Sequence, residues 1–257
     1  MQKRIEDYNK VLPIVEVYRA VQSEGSRIGR PTIVVRTTGC THRCYFGEGG
    51  WCDSWYTSIH PEKGMFTFDN IINMYDKNPH IKEMMLTGGS PTMHPALVNE
   101  LTHLANERNI IITIETEGSA FVETDYPLGL ISLSPKFSNS VPVVGTLTPA
   151  GKVVDERFIK THNRKRLNTE AIKRMIEFHS DYHYKPVWDG SKGNLKEIEE
   201  YRVQLNIPKD KTFIMPAGDT REQLIKMYPI VFNMCAEQGY NMTGRDHIIA
   251  FNTERGV

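Results

Sequence analysis

Apolar positions along this chain fall into short blocks whose spacing alternates between two patterns. Pro31-Thr-Ile-Val-Val-Arg36 is a β-branched run, Glu83–Thr87 is an apolar run that stops at Gly88-Gly89, and Ile110–Ile114 is uninterrupted. Continuous runs of this length suit strands buried on both faces. Gly129–Leu133, the stretch from His183 to Val187 and Thr212–Met215 predict further strands. Between them the spacing becomes helical: Phe68–Asp76, Pro95–Glu107 with Leu97, Leu101, Leu104 and Ala105 on one side, Glu170–His179, Lys196–Leu205 and Arg221–Glu237. Phe137–His162 has no clear period and receives no assignment. Strand, loop and helix repeated about six times predict an α/β fold with a parallel sheet and outer helices. No linker-like stretch or repeat interrupts the pattern, so residues 1–257 read as one domain. Parallel sheets carry chemistry in the loops after their strands. The polar motifs after Arg36, Leu86, Ile114, Leu133 and Ile214 are therefore expected to converge.

Composition narrows the partners. Apolar residues are 39% and charged residues 24% of the chain, enough for a sizeable core and unlike a disordered segment. Lys plus Arg is 31 and Asp plus Glu is 31, which argues against nucleic acid or a polybasic membrane patch. No apolar run approaches the roughly 20 residues that cross a bilayer. Met1–Lys10 is polar and mixed in charge, unlike a signal or transit peptide, so the expectation is a cytoplasmic protein.

Cys40, Cys44 and Cys52 crowd together, while Cys235 lies far away. Three close thiols without a secretory leader point to a metal site rather than a disulfide framework. Thiolates hold iron–sulfur clusters, and three ligands leave one iron open. A closed zinc site with His42 as fourth ligand is the alternative, although His42 sits between Cys40 and Cys44 rather than in a paired knuckle. A merely apolar role suits Cys235, within the run Val231–Ala236, better than the Gly-rich polar loop.

The loop resembles the cluster loop of radical S-adenosylmethionine enzymes, whose three cysteines are spaced x3 then x2 with an aromatic before the third. Cys40 and Cys44 keep the first spacing and Trp51 precedes Cys52; the second gap is seven residues. The extra residues include Gly47, Gly49 and Gly50, so Tyr45–Gly50 is expected to bulge outward. Thr87-Gly88-Gly89-Ser90-Pro91 is similar to the superfamily's Thr-Gly-Gly-Glu-Pro turn, with Ser90 where Glu is usual. In that resemblance the turn binds the amino group of S-adenosylmethionine, and its glycines admit the ligand close to the main chain.

Within the superfamily the chain resembles the 7-carboxy-7-deazaguanine synthases from Glu16 to its C-terminus. The matching segments are Glu16–Gly25 with Gly29-Arg30-Pro31, Arg36-Thr-Thr-Gly-Cys40, Cys52-Asp53-Ser54, Glu115-Thr116-Glu117-Gly118 with Glu117 for Asn, and an unchanged Ser134-Pro135-Lys136. The resemblance implies a partial, modified (β/α)6 barrel. It also implies that a radical made from S-adenosylmethionine takes a hydrogen from 6-carboxy-5,6,7,8-tetrahydropterin, whose ring contracts with loss of ammonia. Cys40, Cys44 and Cys52 would then hold a 4Fe-4S cluster. Trp51, Asp53, Gly89, Ser134, Pro135, Lys136 and the loosely matched Met215, Pro216, Ala217 and Gly218 would bind S-adenosylmethionine. Arg36 would clamp the pterin carboxylate as a bidentate fork. Val21, Gln22, Ser23, Thr87 and the terminal carboxylate of Val257 would meet the rest of the pterin, and Ser54 would bind Mg2+. An electron donor such as flavodoxin and a homodimer are implied partners. No acid–base pair is assigned. A glycyl-radical activating enzyme and a zinc-stapled, non-catalytic binding module remain the alternatives.

Overall fold

The computed structural model describes residues 4–46 and 50–257. Strands β1 (Ile14–Val21), β2 (Pro31–Thr37), β3 (Glu83–Gly88), β4 (Ile111–Thr116), β5 (Leu130–Leu133) and β6 (Tyr182–Tyr184) form one 6-stranded sheet in that order. β1 runs antiparallel to β2, and every later pairing is parallel. β7 (Val187–Trp188), β8 (Phe213–Pro216) and β9 (Asn241–Met242) form a second parallel sheet. A parallel bridge between Tyr184 and Thr212 carries the curvature from one sheet to the other. The arrangement is the expected α/β fold with a parallel sheet. The strand anticipated near residues 183–187 is divided at Pro186, which cannot donate to a ladder.

The helices are α1 (Trp55–Ser58), α2 (Phe68–Lys77), α3 (Pro95–Arg108), α4 (Glu156–Lys165), α5 (Thr169–Phe178), α6 (Lys192–Gln204), α7 (Arg221–Gln238) and α8 (Asp246–Phe251). Their ends obey local chemistry. Thr67 and Asn70 close a reciprocal capping box on α2, and Gly239 ends α7 in the left-handed conformation. Ile33, Val35, Met84, Leu86, Ile112, Ile114, Ile131 and Leu133 pack against Leu97, Leu101 and Leu104 of α3 and Ile172 and Met175 of α5. The apolar runs are therefore the centre of the core.

Three features depart from the sequence expectations. No helix connects β4 to β5, so the alternation lapses there. The unassigned 137–162 stretch contains a hairpin bridged at Leu147 and Val153, then the start of α4, capped by Asp155. The apolar run near the C-terminus is helix α8 rather than a strand, with Ile248 buried and Phe251 exposed. The helical turn buries Ile248, leaves Ile249 half-buried and exposes Phe251, which periodicity over so few residues does not reveal.

Candidate active site

The loop after β2 folds back on itself. Tyr45 and Trp51 form an antiparallel bridge, the Phe46 N–H donates to Gly50 O at 2.8 Å, and the Cys52 N–H donates to Cys44 O at 3.0 Å. This pinch brings the flanks of the long second gap together, so Cys44 and Cys52 are neighbours despite their separation. Gly47 and Gly49, at the tip of the expected bulge, lie outside the described residues. Burial, then Cys52, pushes the Cys44 thiol well up. Burial and Glu117 raise Cys40, and burial and Asp53 push Cys52 up to about 12. Lys136 opposes these effects at Cys44 and Cys52, which puts its charge beside the thiols. Trp51 donates from Nε1 to Leu147 O at 2.9 Å, fastening the loop to the 147–153 hairpin.

His162 of α4 is the strut beneath this loop. The Arg43 N–H donates to its Nδ1 at 3.2 Å, so Nε2 carries the proton and faces Ser140 Oγ at 3.1 Å. Burial first, then the charges around it, depress this histidine to about 3. It stays a neutral acceptor for the loop backbone.

The turn after β3 is pressed against the cysteine loop. A Cβ at Gly88 would lie 2.2 Å from Thr37 O, and one at Gly89 would lie 2.1 Å from Gly39 O and 3.0 Å from Cys40 Cβ. These glycines are thus required by backbone-to-backbone packing, in addition to any ligand they admit. Thr87 is half-buried and receives the Thr37 hydroxyl on its carbonyl at 3.2 Å. Ser90 donates to Glu117 Oε1 at 2.7 Å, and the same oxygen receives Ser119 at 2.6 Å and Thr41 at 3.1 Å. Burial raises Glu117, but the nearby His42 ring, then the Ser119 and Ser90 hydroxyls, outweigh it and hold the carboxyl at about 2. After β5 the Ser134 N–H donates to Thr116 O at 2.8 Å, and Lys136 Nζ donates to Ser134 Oγ at 2.9 Å across Pro135. Met215 and Pro216 end β8, Ala217 donates to Trp188 O at 2.9 Å, and Gly218 O receives Arg245.

Inside the curved sheet lies a chain of charges that periodicity alone does not reveal. Lys185, 1% exposed, pairs with Glu24 and, at 2.8 Å, with Glu115. Arg245 pairs with Glu24 at 3.1 Å and with Asp53 beside Cys52, and Ser54 Oγ donates to Asp53 Oδ1 at 3.1 Å. Burial opposes the Glu24 and Asp53 charges, yet Lys185 and Arg245 respectively hold both carboxyls far below the usual range. A lysine within the strand-like run Tyr184–Val187 was the signal for this network.

Arg36 presents less than an open fork. Its Nε donates to Glu16 Oε2 at 2.7 Å and its Nη2 to the Tyr18 hydroxyl at 3.2 Å. Arg36 is in register with Thr87, whereas Gln22 Nε2 meets Glu83 Oε2 at 3.4 Å at the opposite end of β3. Four residue steps along the strand separate the two places, about 13 Å. Val21 is exposed, and Ser23 donates to Val21 O at 2.9 Å. The C-terminal segment is fastened by Arg255, which stacks on Tyr56 at 3.3 Å and pairs with Glu62 at 2.9 Å and Glu16 at 3.2 Å. Val257 follows it, half-buried.

No protein-family model matches the chain. The 7-carboxy-7-deazaguanine synthase of Halobacterium salinarum is 31% identical over 94% of this chain and 91% of its own length. The enzyme of the same name from Rhodopirellula baltica is 33% identical over 96% of this chain and 89% of its own. The chain belongs to the 7-carboxy-7-deazaguanine synthase family. The crystal structure of QueE from Escherichia coli has the same fold, with a TM-score of 0.60 over 90% of this chain and 92% of that one at 18% identity.

Membership in the 7-carboxy-7-deazaguanine synthases makes the chain an enzyme, a lyase of the radical S-adenosylmethionine type, and sets aside the glycyl-radical and zinc-module readings. An iron–sulfur cluster and S-adenosylmethionine are the implied cofactors. The donor set fits such a cluster. Neighbouring thiols raise Cys40 and Cys44, and a cationic group that binds the three as thiolates relieves that cost. Among the described residues no helix is long and apolar enough to cross a membrane.

Proposed function

We propose that this chain converts 6-carboxy-5,6,7,8-tetrahydropterin to 7-carboxy-7-deazaguanine with loss of ammonia. The observation that carries the reading is the convergence of the cysteine loop, the Gly88-Gly89 turn and Ser134-Pro135-Lys136 at one mouth of the sheet, in a member of this enzyme family. Cys40, Cys44 and Cys52 would hold a 4Fe-4S cluster. Main chain at Trp51–Asp53, Gly89, Ser134–Lys136 and Met215–Gly218 would line S-adenosylmethionine, with the Lys136 ammonium a point charge for its carboxylate. When bound, these cofactors supply the one-electron chemistry that removes a hydrogen from the substrate.

The chain's own groups bind and orient. Arg36, held by Glu16 and Tyr18, keeps its Nη1 side for the pterin carboxylate. Thr87 offers a hydroxyl beside it, and Val21, Gln22, Ser23 and the Val257 carboxylate are the further substrate contacts of this reading. Ser54, hydrogen-bonded to Asp53, offers with it a hydroxyl and a carboxylate for Mg2+, which suits a hard cation that retains most of its waters. A homodimer, an electron donor such as flavodoxin and a cytoplasmic setting belong to the same reading.

The test is turnover by the anaerobically reconstituted chain given the carboxytetrahydropterin, S-adenosylmethionine and a reductant. The deazaguanine acid should be detected by mass, and each of Cys40→Ala, Cys44→Ala and Cys52→Ala should lose iron and turnover together. Cleavage of S-adenosylmethionine with no deazaguanine product would overturn the substrate.

A further inference from the structure

Glu117 brings a carboxylate to the mouth of the sheet, where hydroxyls and the His42 ring gather on one oxygen and leave the other without a donor among the described residues. The residue is 5% exposed. Its Oε1 accepts three hydroxyls, from Ser90, Ser119 and Thr41, and these fix the plane of the group. Its Oε2 is buried and has no hydrogen-bond partner among the described residues. The closest basic group, the His42 ring, has Nδ1 at 3.6 Å from Oε1 and at 2.9 Å from Thr41 Oγ1, so it is engaged on the side already satisfied. A buried carboxylate oxygen lacking a donor is costly, and a cationic ligand bearing N–H groups removes that cost.

The position of Glu117 says which ligand. Ser90 directly follows Gly89, whose backbone touches Gly39 and Cys40, and the carboxylate lies within 4.8 Å of Cys40 Sγ. Ser90 and Glu117 are two of the places where otherwise matching motifs carry a different side chain, and those two side chains touch each other at 2.7 Å. A carboxylate absent from the β3 turn is thus present at the β4 turn, reaching the same place from the next strand. We propose that Glu117 binds the ammonium group of S-adenosylmethionine, from the end of β4, in the place of a carboxylate at position 90. This assignment rests on the proposed reading that S-adenosylmethionine sits against Gly89. Cys40, His42 and Glu117 also have donor atoms within 4.8 Å of one another, so a divalent ion is the competing occupant. It would need the Cys40 thiol that the cluster uses.

Calorimetric titration of the cluster-loaded chain without reductant tests this. S-adenosylhomocysteine and 5′-methylthioadenosine are both neutral thioethers at sulfur, and only the first carries the aminocarboxylate. Glu117→Gln should weaken S-adenosylhomocysteine about 10- to 100-fold, the range of a charged hydrogen bond, and leave methylthioadenosine and iron content unchanged. The exchange Ser90→Glu/Glu117→Asn should return the affinity to within a few-fold of the starting value. Equal weakening of both ligands, or of neither, would overturn the assignment. So would zinc bound by the unaltered chain and lost from Glu117→Gln. If Glu117→Gln fails to load iron, the exchanged variant decides: tight binding upholds the assignment, and weak binding overturns it. A chain that binds no S-adenosylmethionine at all would instead overturn the proposed function, and this inference with it.

Discussion

Glu115 and Glu117 leave the end of β4 two residues apart and meet opposite surroundings. Glu115 faces Lys185 at 2.8 Å inside a network that also joins Glu24, Arg245 and Asp53. Glu117 meets three hydroxyls on one oxygen and nothing on the other among the described residues. The two carboxylates are balanced differently, Glu115 by a lysine of the network and Glu117 by three hydroxyls with the His42 ring 3.6 Å from the same oxygen. Chain cations complete the charge balance when the protein folds. Dipoles stabilise the anion while leaving its charge for a ligand. Lys136 obeys the same division at the mouth, where Ser134 Oγ is its hydrogen-bond partner. The interior is therefore built for stability and positioning, and the mouth for charged occupants.

Breaking the compensated side should have the largest effect. Lys185→Met leaves the half-buried Glu115 without its cation and Glu24 with only Arg245, and should cost about 3–5 kcal/mol in denaturant unfolding. Adding Glu115→Gln should recover part of that loss. Recovery by Glu117→Gln instead would show that the two carboxylates had been assigned to the wrong environments.

Arg36 combines the two roles, since Glu16 and Tyr18 fix part of its guanidinium. Arg36→Lys keeps the charge and loses the planar fork. It should raise the KM for the pterin by an amount worth on the order of 1.5–3 kcal/mol, while cleavage of S-adenosylmethionine without substrate stays nearly intact. An unchanged KM would put the substrate carboxylate elsewhere.

The smallest effect concerns pH. His183 accepts from the Ser26 N–H at 3.3 Å, faces Ser132 Oγ at 2.7 Å, and is depressed by burial to about 3. Its ring is neutral in the fold and takes up a proton in the unfolded chain below about pH 6.5. Its contribution is thus complete above that pH and is lost as the pH falls toward 3. Between pH 6.5 and 5.5 the loss is about 1 kcal/mol. His183→Gln should lose that much less stability over the interval, measured by urea unfolding at both pH values. Parallel curves for the two proteins would mean that the ring is not held neutral.

Much of the frame was legible in the residues. β2, β3 and β4 follow the apolar runs closely because strands covered on both faces leave no room for polar residues. The failures were local. β7 has only two residues, too few to carry a period of its own, and α8 has six, of which only Ile248 is buried. The cysteine loop was legible as a unit through its spacing and neighbouring motifs. Its closure was not, since the Tyr45–Trp51 bridge depends on backbone geometry across a gap of unusual length.

What the sequence determined by itself was the alternation of the central strands with their helices, the clustering of three thiols, and the motifs that lead to one enzyme family. Those properties are local, encoded by side-chain volume, polarity and spacing along a continuous stretch. Only the tertiary structure decided which charges meet. Lys185 lies 161 positions from Glu24, and Arg245 lies 192 from Asp53, so their pairing required the sheet to curve and close the distance. The contact of Ser90 with Glu117 belongs to the same class. Two substitutions on different turns read as separate departures in sequence, and become one arrangement once parallel strands bring their C-terminal ends side by side. Electrostatic complementarity depends on distance in space and on exclusion of water, and neither quantity exists until the chain has folded.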